Sequence, residues 1–362
     1  MSKRFSQQFS HAPGYPWVLA LALSMLVALT LIACAGGEPP AATATPDSSN
    51  GTDLSGLSGD INIDGSSTVF PITEAVAEEF GTLTGGNVRV TVGVSGTGGG
   101  FQKFCRQETD ISNASRPIRS SEVAQCAASG VEYIEIPVAI DGLTVMVNPT
   151  NDFVQCMTVA ELETIWSPEA EGQITRWNQV RPEWPDEAID LYAPGVDSGT
   201  FDYFTETING EAQASRGDFT ASEDDNVLVL GISGDKHSLG YFGYAYYIEN
   251  QGRLKAVDID GGAGCVAPTE ATINNGTYTP LSRPLFIYVR QEAAETPRIK
   301  EFLRFYLGPE GRELVAEVGY IPFPDRIYEL AQNRVDRGLT GTIFGGGSPQ
   351  EGSVEAVLSA NQ

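Results

Sequence analysis

From Asp60 onward, hydrophobic and polar positions fall into alternating strand-like and helix-like blocks. Ile61-Asn62-Ile63 reads as a short strand, and Pro71 to Phe80 sets Ile72, Val76 and Phe80 at helical spacing. Val88 to Val94 alternates as a strand, and a glycine run then leads into a predicted helix at Phe101 to Glu108. Tyr133–Val138 and Leu143–Val147 are two strand-like stretches. Thr158 to Trp166 is predicted helical, with Thr158 as cap and Glu161 three residues on. Ile189 to Tyr192 reads as a strand and Thr200 to Ile208 as a helix. Leu239 to Glu249 is an aromatic-rich helical stretch, followed by strands around Leu254 to Ile259 and Pro284 to Val289. Helices at Pro297 to Leu307 and Arg312 to Val318 close the globular part, and Val354 to Leu358 predicts a short terminal helix. This alternation predicts an α/β protein. Two similar strands, Leu143–Val147 and Leu285–Val289, flank the middle third and are candidate crossovers between two lobes.

The N-terminus has a different pattern. Lys3 and Arg4 precede an uncharged apolar run from Val18 to Ala33, whose 16 residues fall short of the roughly 20 that span a bilayer. The order is that of a secretory signal, with an uncleaved anchor as the alternative. Leu31-Ile32-Ala33-Cys34 resembles a bacterial lipobox, which implies a signal over residues 1–33 and a lipid on Cys34. Residues 34–59 are expected to be a flexible tether, Glu38 to Ser58 being rich in Pro, Ala, Thr, Ser and Gly. With Cys34 assigned to the lipid, Cys105, Cys126, Cys156 and Cys265 remain, an even number in an exported chain, so two disulfides are expected. Three connectivities are possible. Cys105–Cys126 with Cys156–Cys265 is preferred because its first pair closes a short local loop. On the chain-entropy account the two loops contribute about 3 and about 4.7 kcal/mol. No C-x-x-C occurs and the only histidines are His11 and His237, so a metal site is not expected.

Length and charge narrow the class. At 362 residues, 41% apolar and 19% charged, the chain can bury two substantial cores. A formal net charge of −25 repels nucleic acid and anionic membrane surfaces. At first sight it also argues against an anionic ligand. Local composition reverses that inference, because a long-range field and the donors of a cleft act on different length scales.

Three turns rich in glycine, serine and threonine each precede a predicted helix. They are Asp64-Gly65-Ser66-Ser67-Thr68-Val69-Phe70-Pro71, Ser95-Gly96-Thr97-Gly98-Gly99-Gly100 and Asp197-Ser198-Gly199-Thr200. Helix N-termini carry free N–H groups and a partial positive charge, and glycine lets a ligand approach closely. Plain helix capping explains any one of these turns. Four glycines in five positions are harder to explain that way, since they cost backbone entropy. Three such turns converging from two lobes would enclose a small oxyanion. Arg116, in Asn113-Ala114-Ser115-Arg116-Pro117, is either a surface arginine or a forked donor to that oxyanion.

These turns, with Asp110–Pro117, Ile174–Asn178, Ala193–Phe201, Leu239–Tyr247 and Pro280–Leu285, resemble the periplasmic phosphate-binding proteins of bacterial phosphate ABC transporters. The resemblance runs in order from 60 to 340. It implies a two-lobed periplasmic-binding-protein fold of type II-like character, hinged by two crossover strands. The expected lobes are 60–145 with 284–345, and 146–283, leaving 346–362 as a tail. It further implies a monomer outside the cytoplasm, lipid-anchored to the cell membrane, that hands inorganic phosphate to permease and ATPase subunits. No cofactor is implied. By position, Thr68 and Val69, Thr97, and Ser198, Gly199 and Thr200 would donate to the ligand. The best-known members carry an aspartate where Arg116 lies and an arginine where Pro194 lies. The charges look exchanged here, which makes Arg116 the expected cationic donor and Asp197 the expected acceptor for a phosphate hydroxyl. Asp197 is equally placed to cap the helix that follows.

Other readings remain open at this point. Sulfate or molybdate would suit the same donors. A secreted serine hydrolase would have to recruit Ser95 or Ser198 with His237, and Gly93-Val94-Ser95-Gly96-Thr97 misses the G-x-S-x-G elbow. Trp166, Trp177, Trp184 and the Tyr241–Tyr247 aromatics read as packing rather than sugar stacking.

Overall fold

The computed structural model describes residues 54, 56–196, 198–222, 224–344 and 353–362, all within one unit, Thr52–Gln362. The predicted signal, Cys34, most of the tether, Asp197 and residues 346–352 lie outside the described residues.

Twelve strands are described: β1 (Gly59–Gly65), β2 (Val88–Val94), β3 (Ile111–Ala114), β4 (Tyr133–Val147), β5 (Cys156–Thr158) and β6 (Asp190–Ala193). The second half adds β7 (Thr220–Ala221), β8 (Ser238–Gly243), β9 (Lys255–Ala256), β10 (Asp258–Asp260), β11 (Cys265–Val266) and β12 (Ser282–Arg290). The main sheet has nine strands in the order β2-β1-β3-β12-β4-β8-β6-β7, with β9 beside β4; β11-β10-β5 form a small second sheet. Strands β1, β2 and β3 run parallel, as do β6, β7 and β8, and helices connect them. Between these parallel groups lie β4 and β12, antiparallel to each other. The chain has the α/β fold of the periplasmic binding proteins.

The two stretches predicted within 133–147 are one 15-residue strand, buried throughout. Residues 133–142 of β4 pair with β12, and Leu143–Val147 pair with β8, so one strand serves both halves of the sheet. Burial on both faces explains the nearly unbroken apolar run.

Several predicted boundaries move. The stretch Leu239–Glu249 divides into β8 and a helix, Tyr244–Glu249. Its Gly240 lies where a Cβ would come within 2.5 Å of the Tyr192 carbonyl oxygen, a close strand approach that a helix would not need. The glycine run is itself helical: the helix spans Gly96–Cys105 rather than Phe101–Glu108. The globular part continues past Val318 into a helix at Asp325–Asp336, whose Ile327, Tyr328, Leu330, Ala331 and Val335 are buried. Helices at Ser120–Ala128 and Asp225–Gly234 were also not foreseen. By contrast, the capping box at Thr158 and Glu161 forms as predicted, with Glu161 N donating to Thr158 Oγ1 at 3.2 Å and Thr158 N donating to Glu161 Oε2 at 2.9 Å.

Both disulfides of the preferred pairing are formed. Cys105–Cys126 joins the helices Gly96–Cys105 and Ser120–Ala128, and Cys156–Cys265 joins β5 to β11 across 109 residues. Trp166, Trp177 and Trp184 are buried, and Trp166 packs edge-on against Tyr241 with ring centroids 5.0 Å apart. These tryptophans, with Tyr241, Phe242 and Tyr244, therefore fill core space, while Tyr246 is exposed. A buried carboxylate, Glu135 on β4, anchors the chain after the last long helix. It accepts from Tyr288 Oη at 2.5 Å, Thr342 Oγ1 at 2.9 Å, Ile343 N at 2.7 Å and Phe344 N at 3.2 Å. Burial raises its pKa, and those donors oppose the shift.

Candidate functional site

Each of the three turns connects a strand end to a helix start. β1 ends at Gly65, and Ser66 to Val69 lead into the helix Phe70–Leu83, which carries a proline in its first turn. β2 ends at Val94 and leads through Ser95 into the helix that begins at Gly96. β6 ends at Ala193, and after the intervening loop Ser198 caps the helix Gly199–Asn209, accepting from Thr200 N at 3.2 Å.

Two glycines let these turns meet. A Cβ on Gly100 would lie 2.5 Å from Gly65 Cα, so only glycine allows the second helix to seat against the first turn. A Cβ on Gly199 would lie 2.9 Å from Thr68 Cα and 3.1 Å from its hydroxyl, so the third turn abuts the first. Asp64 braces the second turn: Lys103 Nζ pairs with it at 2.6 Å, and Ser95 Oγ donates to it. Ser95 is thereby committed to the scaffold.

The first two turns, with the helix that follows the third, border a cavity of about 280 Å³ lined by Ser66, Ser67, Thr68, Gly96, Thr97, Gly98, Ser115, Arg116, Arg119, Asp202, Glu206, Ala212 and Arg283. Its hydroxyls are oriented by their protein partners. Thr68 Oγ1 accepts from Arg283 Nη2 at 3.2 Å, and Thr97 Oγ1 accepts from Ser115 N at 3.2 Å. An arginine or an amide can only donate, so these contacts occupy hydroxyl lone pairs and leave the hydroxyl protons for other acceptors. Thr97 also lies 3.1 Å from Ser115 Oγ. Ser67 Oγ donates to Asp202 Oδ2 at 3.4 Å, while Asp202 Oδ1 is buried without a hydrogen-bond partner among the described residues. The wall combines hydroxyl and guanidinium donors with two carboxylates, Asp202 and Glu206.

The cationic groups differ sharply. Arg116 is tied to Glu122 by two bonds, at 2.9 and 2.8 Å, and donates to the Pro117 carbonyl at 3.1 Å. Arg283 lies flat on Tyr203, 3.6 Å from the ring centroid, and contacts Asp141 at 3.4 Å and Glu206 at 3.7 Å. Asp141 stands opposite Arg283 in the β4–β12 register, and burial pushes its carboxyl up to about 6 against the pull of Arg283. Arg119 is exposed at the cavity's edge.

Thr68, Thr97 and Arg116 thus line one cavity, and Val69, Ser198, Gly199 and Thr200 occupy the turns beside it. His237 lies near Asp235 and Phe153 and takes no part in the lining. The residues that pattern reading overlooked are Arg283, Asp202, Arg119 and Glu206. Arg283 had a signal: it is a lone charge at the head of an apolar strand, beside Pro284. Asp202 and Glu206 are four apart on one helix face, which only the placement of that helix makes relevant.

A strand-to-helix cavity beside two antiparallel crossover strands defines the class, a binding protein of the periplasmic type. Comparison with known proteins agrees. The PBP superfamily domain matches residues 39–310. The chain is 50% identical to Protein SphX of Synechocystis sp. over 301 residues, covering 82% of this chain and 88% of that one. It is 36% identical to the phosphate-binding protein PstS of Staphylococcus saprophyticus, covering 88% and 94%. A crystal structure of a possible phosphate binding protein from Planctomyces limnophilus superposes with a TM-score of 0.76 at 53% identity, covering 78% of this chain and 99% of that one. The chain belongs to the PBP superfamily, in the family that contains the SphX and PstS proteins. Members of this kind work outside the cytoplasm, and no helix among the described residues is long and apolar enough to cross a membrane.

Proposed function

We propose that the cavity binds inorganic phosphate and that the protein delivers it to the permease and ATPase subunits of an ABC importer. One observation carries this reading: two threonine hydroxyls that each already accept a bond, Thr68 from Arg283 and Thr97 from Ser115 N, face a cavity that also contains arginine. Such a site offers protons to a ligand made of acceptors. Thr68, Val69, Thr97, Ser198, Gly199 and Thr200 surround the anion in this reading, with Arg116 at the wall. Residues 60–145 with 284–345 form one lobe and 146–283 the other, closing on the ligand about β4 and β12. The chain acts as a monomer held at the membrane by a lipid on Cys34 after removal of residues 1–33. Catalysis is no part of this reading, since Ser95 is bonded to Asp64 and His237 stands outside the cavity.

Selectivity follows from the acceptor. Near neutral pH phosphate carries a proton and sulfate does not. A carboxylate oxygen without a partner accepts from the first and repels the second. Asp197 was expected in this role and lies outside the described residues. Of the two lining carboxylates, Glu206 is half exposed and faces Arg283, so Asp202, with its buried and unpartnered Oδ1, is the better placed for this role. The test is calorimetric titration of ligand-stripped protein with phosphate, arsenate and sulfate. Phosphate should bind at micromolar or better Kd, about −8 kcal/mol, with sulfate far weaker; absence of phosphate binding refutes the function. Asp202→Asn should narrow the phosphate-to-sulfate ratio at least tenfold. An unchanged ratio there, with a collapsed one in Asp197→Asn, returns the role to Asp197.

A further inference from the structure

Of the three lining arginines Arg119 is exposed at the edge, and the cation of this site is identified by how well each of the two enclosed ones is already satisfied. A guanidinium has five N–H donors, and burying one without partners is costly. Arg116 has its fork filled by both oxygens of Glu122 and a backbone carbonyl. Arg283 is comparably enclosed, with its side chain 15% exposed, yet its contacts are loose. Its Nη2 reaches Thr68 Oγ1 at 3.2 Å and Asp141 Oδ2 at 3.4 Å, and its Nη1 stands 3.7 Å from Glu206. Its Nε is buried 3.4 Å from Asp141 Oδ2 and makes no hydrogen bond among the described residues. The face of the guanidinium is covered by Tyr203, whose own hydroxyl is fixed by donation to the Pro280 carbonyl at 2.7 Å. The group is therefore held in place by stacking while most of its donors remain unfilled, in a wall that also holds Thr68 and Thr97.

Resting on the phosphate reading above, we propose that Arg283 is the principal cationic ligand of the bound oxyanion, and that the Arg116–Glu122 pair chiefly shapes the Ser115–Arg119 loop. Arg283 polarises the Thr68 hydroxyl and presents its own free N–H groups to the same anion. Its place on β12, opposite Asp141 on β4, lets the anion engage the crossover strands themselves.

Arg283→Ala, Arg283→Lys and Arg116→Lys are compared with wild type by calorimetry with inorganic phosphate. Loss of charge-assisted bonds from Arg283→Ala should weaken binding roughly 10- to 150-fold. Arg283→Lys should fall between the two, and Arg116→Lys should lose at least tenfold less than Arg283→Ala. In wild type, the Nε–H resonance missing from Arg283→Lys spectra should shift on phosphate addition, a readout that a purely structural role would not move. Equal losses at both positions, or an Arg283 resonance unmoved at saturation, overturns the assignment. That resonance keeps the proposal testable if Arg283→Ala fails to fold. Absence of phosphate binding by wild type would instead remove the function itself.

Discussion

The contact between Gly199 and Thr68 allows a sharp test of closure. Gly199 is the first residue of its helix and its φ is not positive, so alanine there brings no backbone strain. Alanine is also the better helix former, by about 1 kcal/mol in a helix interior and by less at a first position. Folding stability should therefore hold or rise slightly. The added methyl, however, would meet Thr68 at 2.9 Å from Cα, 3.1 Å from Oγ1 and 3.2 Å from N. Two of those three atoms are backbone, which cannot rotate away. Overpacking of this kind costs about 1–3 kcal/mol, and under the proposed two-lobe closure the cost falls on the closed state. Gly199→Ala should weaken phosphate binding about 5- to 150-fold while leaving the urea midpoint of ligand-free protein unchanged or higher. Calorimetry and urea denaturation of the same samples measure both. Wild-type affinity in this variant would show that binding does not require the turns to meet. A matching fall in stability and affinity would mean that the contact belongs to the fold rather than to closure.

Two further outcomes follow from buried carboxylates. Asp141 has its folded pKa raised from 3.8 to about 6 by burial, so between those values the folded chain holds a proton that the unfolded chain has released. Its contribution to stability thus declines as pH rises through that window, by about 3 kcal/mol in all. Wild-type stability minus that of Asp141→Asn, from urea melts at pH 4 and pH 7, should fall by that order; a flat difference refutes the account. Glu135→Ala leaves Tyr288 and two buried backbone N–H groups without their acceptor, costing at least about 3 kcal/mol at 1–3 each. Glu135→Gln should recover part of it, and a loss below 1 kcal/mol in the alanine variant would show that the network is dispensable.

The net charge of −25 describes the long-range field, which repels an approaching anion and makes capture faster as salt rises. Short-range donors act within the cavity, where two of the three lining arginines already face carboxylates.

Local chemistry written in the sequence determined much of this protein. Periodicity locates the strand Val88–Val94 and the helix Pro297–Leu307, because each has one buried face and a repeat that reveals it; the strand expected at Pro284–Val289 is buried on both faces and is legible only as a short apolar run within Ser282–Arg290. The Thr158–Glu161 box is a contact within a few residues and is legible for the same reason, whereas the helix after the third turn is capped by Ser198 and not by the Asp197 that the sequence suggests. Also legible is the spacing of glycines and hydroxyls in the three turns. A continuous apolar pattern is ambiguous: β4 and β12 read correctly as strands, whereas β8 reads as part of a helix because a central strand buried on both faces carries no alternation. The site's charges were settled only by tertiary structure. Arg116 looked like the free cation until Glu122, six residues on, was seen to fill its fork. Arg283 and Thr68 are 215 residues apart and meet only because β12 returns beside β4. A residue's type states which bonds it can make; which of them are already taken depends on neighbours that only the folded chain brings near.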